Sequence, residues 1–265
     1  TIFMKKKLLL NWVYYRPVGH IIEPLKIAKG YVLANKNIDV YLVINDESPK
    51  ELCEACPWIK KVYTVSLKEI NEKGASSTCL KKIPKKWDYV VTDNRARHFN
   101  KKVDTEEMIK THEVLDIVLK ATIEKGFIEQ SGGHDSSILP IDSNPKINLP
   151  IPAKVKEFAK KFKHKGPKIA IMLGGSSGTK QSPSVEMWFK ICQALYKKIP
   201  NLKIYFTGIS KSIKGRTSTR GFGLDDVDFL ISKLPNAEKV YDVGLWNQIA
   251  FIAKCDMFVS PHSGF

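Results

Sequence analysis

Short apolar runs alternate with longer segments of helical periodicity along this 265-residue chain. An apolar run bounded by turn residues is typical of a buried parallel strand, whereas apolar positions three and four apart are typical of a helix. The runs predict strands at 8–14, 39–44, 61–65, 87–92, 168–173, 203–207, 239–241 and 257–259. The helical pattern covers 22–34, 49–55, 105–125, 153–162, 183–198, 225–233 and 245–253. Strands that alternate with helices predict βαβ units and parallel sheets.

The periodicity fails between Gln130 and Pro152, where glycines, serines and prolines cluster. Such a composition is typical of a loop. A chain of this length is also expected to form two domains. We therefore predict an α/β fold with two Rossmann-like domains, 1–130 and 153–265, joined by a linker at 131–152. Because the chain stops directly after a predicted strand and its loop, we also expect the second domain to be incomplete.

Two loops rich in glycine and hydroxyl side chains follow predicted strands of the second half. Gly-Gly-Ser-Ser-Gly-Thr-Lys occupies 174–180, and Ser-Pro-His-Ser-Gly-Phe occupies 260–265. At the carboxyl ends of parallel strands, backbone N–H groups, short side chains and a helix N-terminus can face one anion together. The two loops therefore predict a site for a nucleotide or another phosphorylated ligand. A flexible connection is the alternative for the first loop.

The first loop is close to the phosphate loop of nucleoside triphosphatases but departs from its consensus at two positions. Thr179 stands where the residue before the lysine should be glycine, and Gln181 stands where a hydroxyl should bind magnesium. The sequence therefore argues against a kinase-type enzyme. Ser182 and Pro183 instead predict the N-cap and first residue of the next helix.

Basic residues exceed acidic ones, with 43 Lys and Arg against 27 Asp and Glu and a formal net charge of +16. Residues 151–265 carry 19 basic and 8 acidic residues, so most of the excess accompanies the two loops. Such a field favours anionic partners. Five cysteines without disulfide-framework spacing indicate a reducing compartment, and Cys53 and Cys56 are expected to be ordinary helix cysteines. No apolar run approaches the length of a membrane span, so we predict a cytoplasmic protein.

The order of these features in the second half resembles the donor-binding domain of heptosyltransferase-like glycosyltransferases, the family 9 enzymes of the GT-B fold. The resemblance lies in the loop at 174–180, Trp188 on the next helix, Thr207 and Gly208 at a strand end, and the loop at 260–265. It implies an enzyme, a hexosyl- or heptosyltransferase, that transfers a sugar from a nucleotide-diphosphate sugar. The donor is then a substrate, and no separate cofactor is expected.

The start of the chain is similar to the acceptor domain of the same family, through Gly19 after the first strand and Pro24 in the following helix. The family's aspartate after this glycine, implied as the catalytic base, is replaced here by His20, which is expected on the loop at the end of the first strand. Histidine has a pKa near neutrality and can accept the acceptor's proton in an inverting transfer. Glu23, one turn further on, is the rival base. The alternatives are a helix-entry role for His20 and a helix-dipole role for Glu23.

The family's aspartate in the last loop is also replaced, by His262, so we expect a sugar nucleotide other than a heptose donor. The resemblance and the loop chemistry together predict the residues that contact the donor and its diphosphate: Gly175, Ser176, Thr179, Lys180, Thr207, His262, Ser263, Gly264 and Phe265. The acceptor, which could be a glycan, a lipid-linked molecule or a protein, is predicted to meet Arg16, Arg95 and Arg97. The basic loop at 211–220 could contact phosphate or acceptor, or be a solvated loop.

Metal-independent transfer is predicted, with no metal-binding residues. Asp225, Asp226 and Asp228 form an acidic triplet, but they begin a predicted helix, where carboxylates favour the helix dipole.

Two other classes of protein stay open. A sugar-nucleotide epimerase could use the same fold, since fold alone does not determine function. A non-enzymatic basic module could bind nucleic acid or an anionic surface. A module that binds nucleic acid is expected to have arginine and aromatic residues interleaved on one face. The lysines are scattered and the aromatics fall in predicted core positions, so we expect no nucleic acid partner. The positive charge permits peripheral contact with an anionic membrane.

Overall fold

The computed structural model describes residues 5–13, 18–93, 103–130, 137–175, 181–211 and 221–261. The chain divides into two compact units, Thr1–Leu149 and Pro150–Phe265. Strands β1 to β11 are Lys6–Asn11, Ile38–Asn45, Lys61–Val65, Lys86–Trp87, Tyr89–Asp93, Lys120–Ala121, Phe127–Gln130, Lys168–Ile171, Lys203–Gly208, Ala237–Tyr241 and Met257–Val259. Helices α1 to α8 are Val18–Ala34, Lys50–Ala55, Leu67–Lys73, Val103–Val118, Ala153–Ala159, Val185–Lys198, Leu224–Lys233 and Leu245–Ile252. Two 3-10 turns, Gly74–Ser76 and Thr78–Lys82, follow α3.

The first unit contains a five-stranded parallel sheet in the order β3-β2-β1-β5-β7. Leu8, Leu9 and Leu10 of β1 are fully buried, because a central parallel strand is covered on both faces. The chain runs outward from β1 through β2 to β3 and then returns to the other side of β1 as β5. The strand order therefore reverses beside β1, where Asn11 pairs with Thr92.

The second unit contains a four-stranded parallel sheet in the order β10-β9-β8-β11. One apolar cluster joins the sheet to Trp188 of α6 and Leu230 of α7. Another joins it to Phe251 of α8 and Phe158 of α5, so helices cover both faces. The order again reverses, here beside β8. The prediction of an α/β fold with parallel sheets is confirmed.

The helix predicted at 105–125 is wrong at its C-terminal end, since α4 stops at Val118. The N–H groups of Thr122 and Ile123 donate to the carbonyls of Trp87 and Asp88 instead of to a preceding helical turn. This pairing with the β4–β5 segment overrides the helical composition of the stretch. The chain then enters β7, a strand that the sequence pattern did not predict.

Residues 137–146 pack against α1 of the first unit. The side-chain amide of Asn35 donates to the carbonyl of Pro140 over 2.7 Å, and the N–H of Asp142 donates to the carbonyl of Gly30 over 3.1 Å. A Cβ atom at Gly30 would collide with the Asp142 carbonyl, so glycine permits this close approach. Part of the segment predicted as a linker is thus held on the first unit.

Among the described residues, none of the helices combines the length and the apolar character that crossing a membrane requires.

Candidate functional site

The two loops that the sequence singles out leave neighbouring strands of the second sheet. Ile171 at the end of β8 pairs with Val259 at the end of β11. The N–H of Met172 then donates to the carbonyl of Val259 over 2.9 Å, which extends the pairing by one residue. The next residues of the first loop, including Gly175, are buried. Ligands of doubly wound sheets bind at the carboxyl edge where the strand order reverses, and that is where both loops begin.

Trp188 ties the start of the first loop to α6. Its indole Nε1–H donates to the carbonyl of Leu173 over 3.0 Å, and its side chain is only 3% exposed. A buried carbonyl needs a donor, so this hydrogen bond fixes the point at which the chain leaves β8.

The N-cap predicted at Ser182 is wrong. The helix begins two residues later, and the hydroxyl of Ser184 accepts from the N–H of Met187 over 3.2 Å. Both serines flank Pro183 and have the same capping chemistry, so only the first residue with helical geometry decides between them. Pro183 therefore precedes the cap instead of occupying the first helical position.

Thr207, predicted to contact the donor, lies fully buried near the end of β9. Its hydroxyl donates to the carbonyl of Val240 over 2.9 Å and accepts from Nε2 of Gln248 over 3.1 Å. These bonds join β9 to β10 and to α8. In the structure this hydroxyl holds a helix against the sheet, and its contact with a donor stays a prediction.

A carboxylate that the sequence did not single out stands at the same edge, immediately after β10. Asp242 accepts from the N–H and the hydroxyl of Ser210 over 2.8 and 2.5 Å. Its own N–H donates to the carbonyl of Gly208 over 3.2 Å, and its φ is 56°. An Asp-Val-Gly run after a strand is the signal for such a turn, because Asp and Gly tolerate positive φ.

Tyr241, just before this carboxylate, has a buried hydroxyl with no hydrogen-bond partner among the described residues. Burial raises the pKa of its phenol, and the negative charges of Asp242 and Asp226 raise it further. The phenol therefore stays protonated.

Four polar side chains meet where the strand order of the first sheet reverses. Nδ2 of Asn11 donates to Oγ1 of Thr92 over 3.3 Å and to Oδ1 of Asp116 over 3.4 Å. It lies 3.5 Å from Nδ1 of His112, and the Thr92 hydroxyl donates to Asp116 over 3.2 Å. Asn11, Thr92 and His112 are buried, and Oδ1 of Asn11 is buried without a partner among the described residues. We call these four residues the first-sheet cluster.

Sequence reasoning missed the first-sheet cluster because its members come from two strands and a helix far apart in the chain. The one local signal is the spacing of His112 and Asp116, which are four residues apart and share a face of α4.

His20 lies in the first turn of α1, which begins at Val18. The expectation that it belongs to a strand-end loop is therefore wrong. The apolar pattern starts only after His20, whereas Pro17, which immediately precedes α1 in the sequence, is a residue type that favours helix starts. Glu23 follows three positions later in the same helix and is half-buried. Positions 20 and 23 thus share one helix face, while the His20 side chain lies outside the described part of the structure.

Most of the other predicted contact residues lie outside the described residues, so their roles stay predictions. These residues are Arg16, Arg95, Arg97, Ser176, Thr179, Lys180, His262, Ser263, Gly264 and Phe265. Residues 212–220 of the basic loop also lie outside the described ranges.

Two carboxylates of the acidic triplet have partners within the second unit. Asp226 accepts from the N–H of Gly223 over 2.8 Å at the start of α7, and Asp228 pairs with Lys239 over 2.6 Å. In the part of the chain that the structure describes, no group of three or more His, Cys, Asp or Glu side chains could hold a metal ion.

The C-x-x-C cysteines are buried free thiols; Cys53 lies in α2 as predicted, whereas Cys56 is the residue that caps its C-terminus. The Sγ of Cys56 donates to the carbonyl of Leu52 over 3.3 Å. Burial raises its pKa to about 11, so the thiol is not poised for nucleophilic chemistry.

Two doubly wound α/β units in one chain, each with its strand order reversing beside the first strand, match the fold of solved GT-B glycosyltransferases. A family 9 glycosyltransferase from Veillonella parvula matches with a TM-score of 0.66 and 12% identity, over 98% of this chain and 77% of that one. The ADP-heptose LPS heptosyltransferase II of E. coli matches with a TM-score of 0.61 and 11% identity, over 97% and 80%. E. coli heptosyltransferase WaaC with ADP-2-deoxy-2-fluoro heptose matches with a TM-score of 0.54 and 11% identity, over 97% of this chain and 83% of that one.

No family model matches the sequence, and no curated protein matches it. The predicted resemblance to heptosyltransferase-like enzymes is confirmed at the level of the fold.

Proposed function

We propose that this protein is a glycosyltransferase that takes a sugar from a nucleoside-diphosphate sugar bound by the second unit and transfers it to an acceptor bound by the first. The observation that supports this most is the pairing of Ile171 with Val259, because it starts two glycine-containing loops side by side at the ligand edge. The likeness of the fold to heptosyltransferases adds support, since one of those structures contains a nucleotide-sugar analogue.

The second unit offers the groups that a departing diphosphate needs. Negative charge develops on the diphosphate as the sugar leaves, and preorganised donors stabilise it. Backbone N–H groups of both loops supply such donors, and Lys180 supplies a positive charge. The positive end of α6, which begins after Ser184, follows the first loop after four residues. With these groups the transfer proceeds without a divalent metal.

The acceptor's base is His20 or Glu23, both in the N-terminal part of α1. Transfer with inversion needs one base near the acceptor hydroxyl, and a histidine titrates close to neutral pH without special tuning. Pro24 lies inside the helix and has no N–H, so it cannot donate to the His20 carbonyl as a helical residue would. The His20 carbonyl therefore receives no helical hydrogen bond from residue 24.

Single substitutions separate the two candidates for the base. We expect His20→Ala or Glu23→Ala to lower the turnover rate by about a hundredfold or more while donor binding is unchanged, because a general base contributes 10²–10⁴-fold. The assay follows release of nucleoside diphosphate from the sugar nucleotide. If neither substitution slows turnover to that extent, both residues are wrong as the base.

The donor site is tested by thermal unfolding of the protein with UDP, ADP, GDP, CDP and dTDP in turn. A ligand that binds only the folded state raises its stability, by about 2.7 kcal/mol at a hundredfold excess over its Kd. We expect one of the five to raise the Tm, and Lys180→Gln to reduce that rise. Lys190→Gln, an exposed lysine on α6, is the matched control and should keep it. If none of the five nucleoside diphosphates raises the Tm, the proposal is contradicted.

A further inference from the structure

A basic groove lies in the second unit at the edge where its strands begin. The groove is open to solvent and has a volume of about 770 Å³. It is lined by Glu157 and by Lys160, Lys161, Lys163, His164, Lys168 and Lys254, and we call it the lysine groove. Lys168 is the first residue of β8, and Lys254 follows α8 just before β11. The two loops proposed to bind the donor begin at the opposite, carboxyl ends of these parallel strands, which we call the donor edge. A partner in the lysine groove therefore would not compete with a nucleotide.

The positive charge of the lysine groove is concentrated in a short stretch of chain. Residues 154–168 contain seven lysines and one acidic residue, Glu157. Glu157 is paired with Lys160 over 2.6 Å, and the nearby Asp256 accepts from the backbone N–H of Lys168 over 2.7 Å. Five lysines line the groove, so even with Glu157 and Asp256 counted against them this face of the unit keeps a net positive charge. Lysines near a helix C-terminus interact favourably with the helix dipole, but this effect is limited to the last helical turn. It therefore does not explain the lysines in the rest of the stretch.

One aromatic residue on the lining of the lysine groove is backed by an aromatic cluster inside the unit. Phe162 lies on the lining, with its ring 4.7 Å from that of Phe251 and 5.7 Å from that of Tyr205. Nζ of Lys161 lies 5.5 Å from the ring of Phe158. The lining thus includes one apolar ring that is supported from within the unit, and Lys161, Lys163 and Lys254 on the same lining are exposed.

The chemistry of the lining favours a lipid surface over a single bound phosphate. Discrete phosphate sites prefer arginine, whose planar group forms paired hydrogen bonds, whereas each lysine acts as a point charge. Every charged side chain that lines the groove is lysine apart from His164 and Glu157. Clusters of four to eight exposed basic residues beside apolar groups bind anionic lipid headgroups.

We propose that the lysine groove docks the second unit on an anionic membrane surface, with its lysines facing phosphate groups of the lipids. Docking by this edge leaves the donor edge of the same sheet pointing away from the lipid. The proposal does not depend on glycosyl transfer, since it concerns a different edge of the unit.

Vesicle flotation tests this proposal on the whole chain. The vesicles are phosphatidylcholine alone or phosphatidylcholine with about 30 mol% phosphatidylglycerol, since the attraction depends on anionic lipid. The groove variant is Lys161→Gln/Lys163→Gln/Lys254→Gln, and the control is Lys81→Gln/Lys82→Gln/Lys85→Gln, exposed lysines of the first unit with the same change of charge.

We expect wild type to bind the anionic vesicles only, and to release them at high salt. The groove variant should bind about a hundredfold more weakly, at about fivefold per lysine near the surface. The control should stay within about threefold of wild type, because distant exposed charges are screened. A Lys→Arg version of the groove variant, which keeps the charge, should restore binding and so excludes misfolding as the cause.

Three results would overturn the proposal. The first is the absence of binding to anionic vesicles at low salt, and the second is an equal loss in the groove variant and the control. The third is a rise in Tm with inorganic phosphate alone that the groove variant lacks, which would make the groove a site for a soluble phosphate compound. None of these results bears on the nucleoside diphosphate measurements, so failure of either proposal is separately visible.

Discussion

The N–H of Met172 donates to the carbonyl of Val259 over 2.9 Å, although the two residues are far apart in the sequence. This bond lies at the carboxyl end of the second sheet, one residue beyond the last β8–β11 pair. Two loops that are separate motifs in the sequence therefore begin from one point of the fold. A ligand anion can meet N–H groups of both only because these strands are neighbours.

The first prediction concerns the hydrogen bond from Trp188 to the Leu173 carbonyl. Trp188→Phe removes the donor from a buried carbonyl and leaves unfilled volume, so the free energy of unfolding should fall by about 2 kcal/mol. Because Leu173 immediately precedes the first loop, nucleoside diphosphate affinity should fall as well. Urea unfolding and a nucleotide titration measure the two effects.

Trp58→Phe is the matched control for that substitution. The Trp58 indole also donates to a carbonyl, that of Leu25, over 3.0 Å, but it is half-buried and lies in the first unit. Its loss should cost less stability and should leave nucleotide affinity unchanged. Equal effects of both substitutions on affinity would show that Trp188 has no special link to the loop.

The second prediction concerns the first-sheet cluster. Thr92→Val removes a hydroxyl that donates to Asp116 and accepts from Asn11 inside the unit. Since buried polar groups then lose a partner, stability should fall by about 1–3 kcal/mol. Thr122→Val, at an exposed hydroxyl that donates to the carbonyl of Trp87, should change stability by less than about 0.5 kcal/mol. Chemical denaturation of both variants decides whether the cluster stabilises the sheet edge.

The third prediction is a pH dependence at Glu69, whose carboxylate holds the turn after α3. It accepts from the N–H and hydroxyl of Thr78 over 2.6 and 2.5 Å, and these bonds lower its pKa to about 2. A lowered pKa in the folded state means that this contribution to stability is complete above about pH 5 and is lost as the pH falls towards 2.

The stability difference between wild type and Glu69→Gln should accordingly be constant above about pH 5 and shrink between pH 5 and 2. Unfolding curves across that range measure it. Glu72→Gln makes the same change of charge on an exposed side chain of α3 and serves as the control. A difference at Glu69 that does not vary with pH would show that Thr78 does not hold the ionised carboxylate.

Local patterns predicted the elements of this fold well where burial and periodicity agree. The strands at 61–65 and 257–259 have the predicted bounds, because each is a short apolar run between turns. The predicted C-terminal end of α4 was wrong because the N–H groups of Thr122 and Ile123 pair with a distant segment. No local pattern could signal that pairing.

The candidate site was predictable in its loops and not in its supports. Glycine and hydroxyl residues after predicted strands identified the two loops of the second unit. That the two loops begin side by side could be known only from the strand order of the sheet. Asp242 and the partners of Asn11 were missed because each acts through residues from other elements. His20 was placed wrongly because helix starts depend on backbone geometry that apolar spacing does not record.

Hydrogen exchange of backbone amides, with and without the nucleoside diphosphate that raises the Tm most, tests the central claim most directly. If the diphosphate sits between the two loops, peptides covering 172–184 and 257–265 should exchange more slowly when it is bound. Peptides covering the lysine groove at 154–168 should be unchanged. Protection confined to the first unit or to the lysine groove, with none at the two loops, would contradict the account.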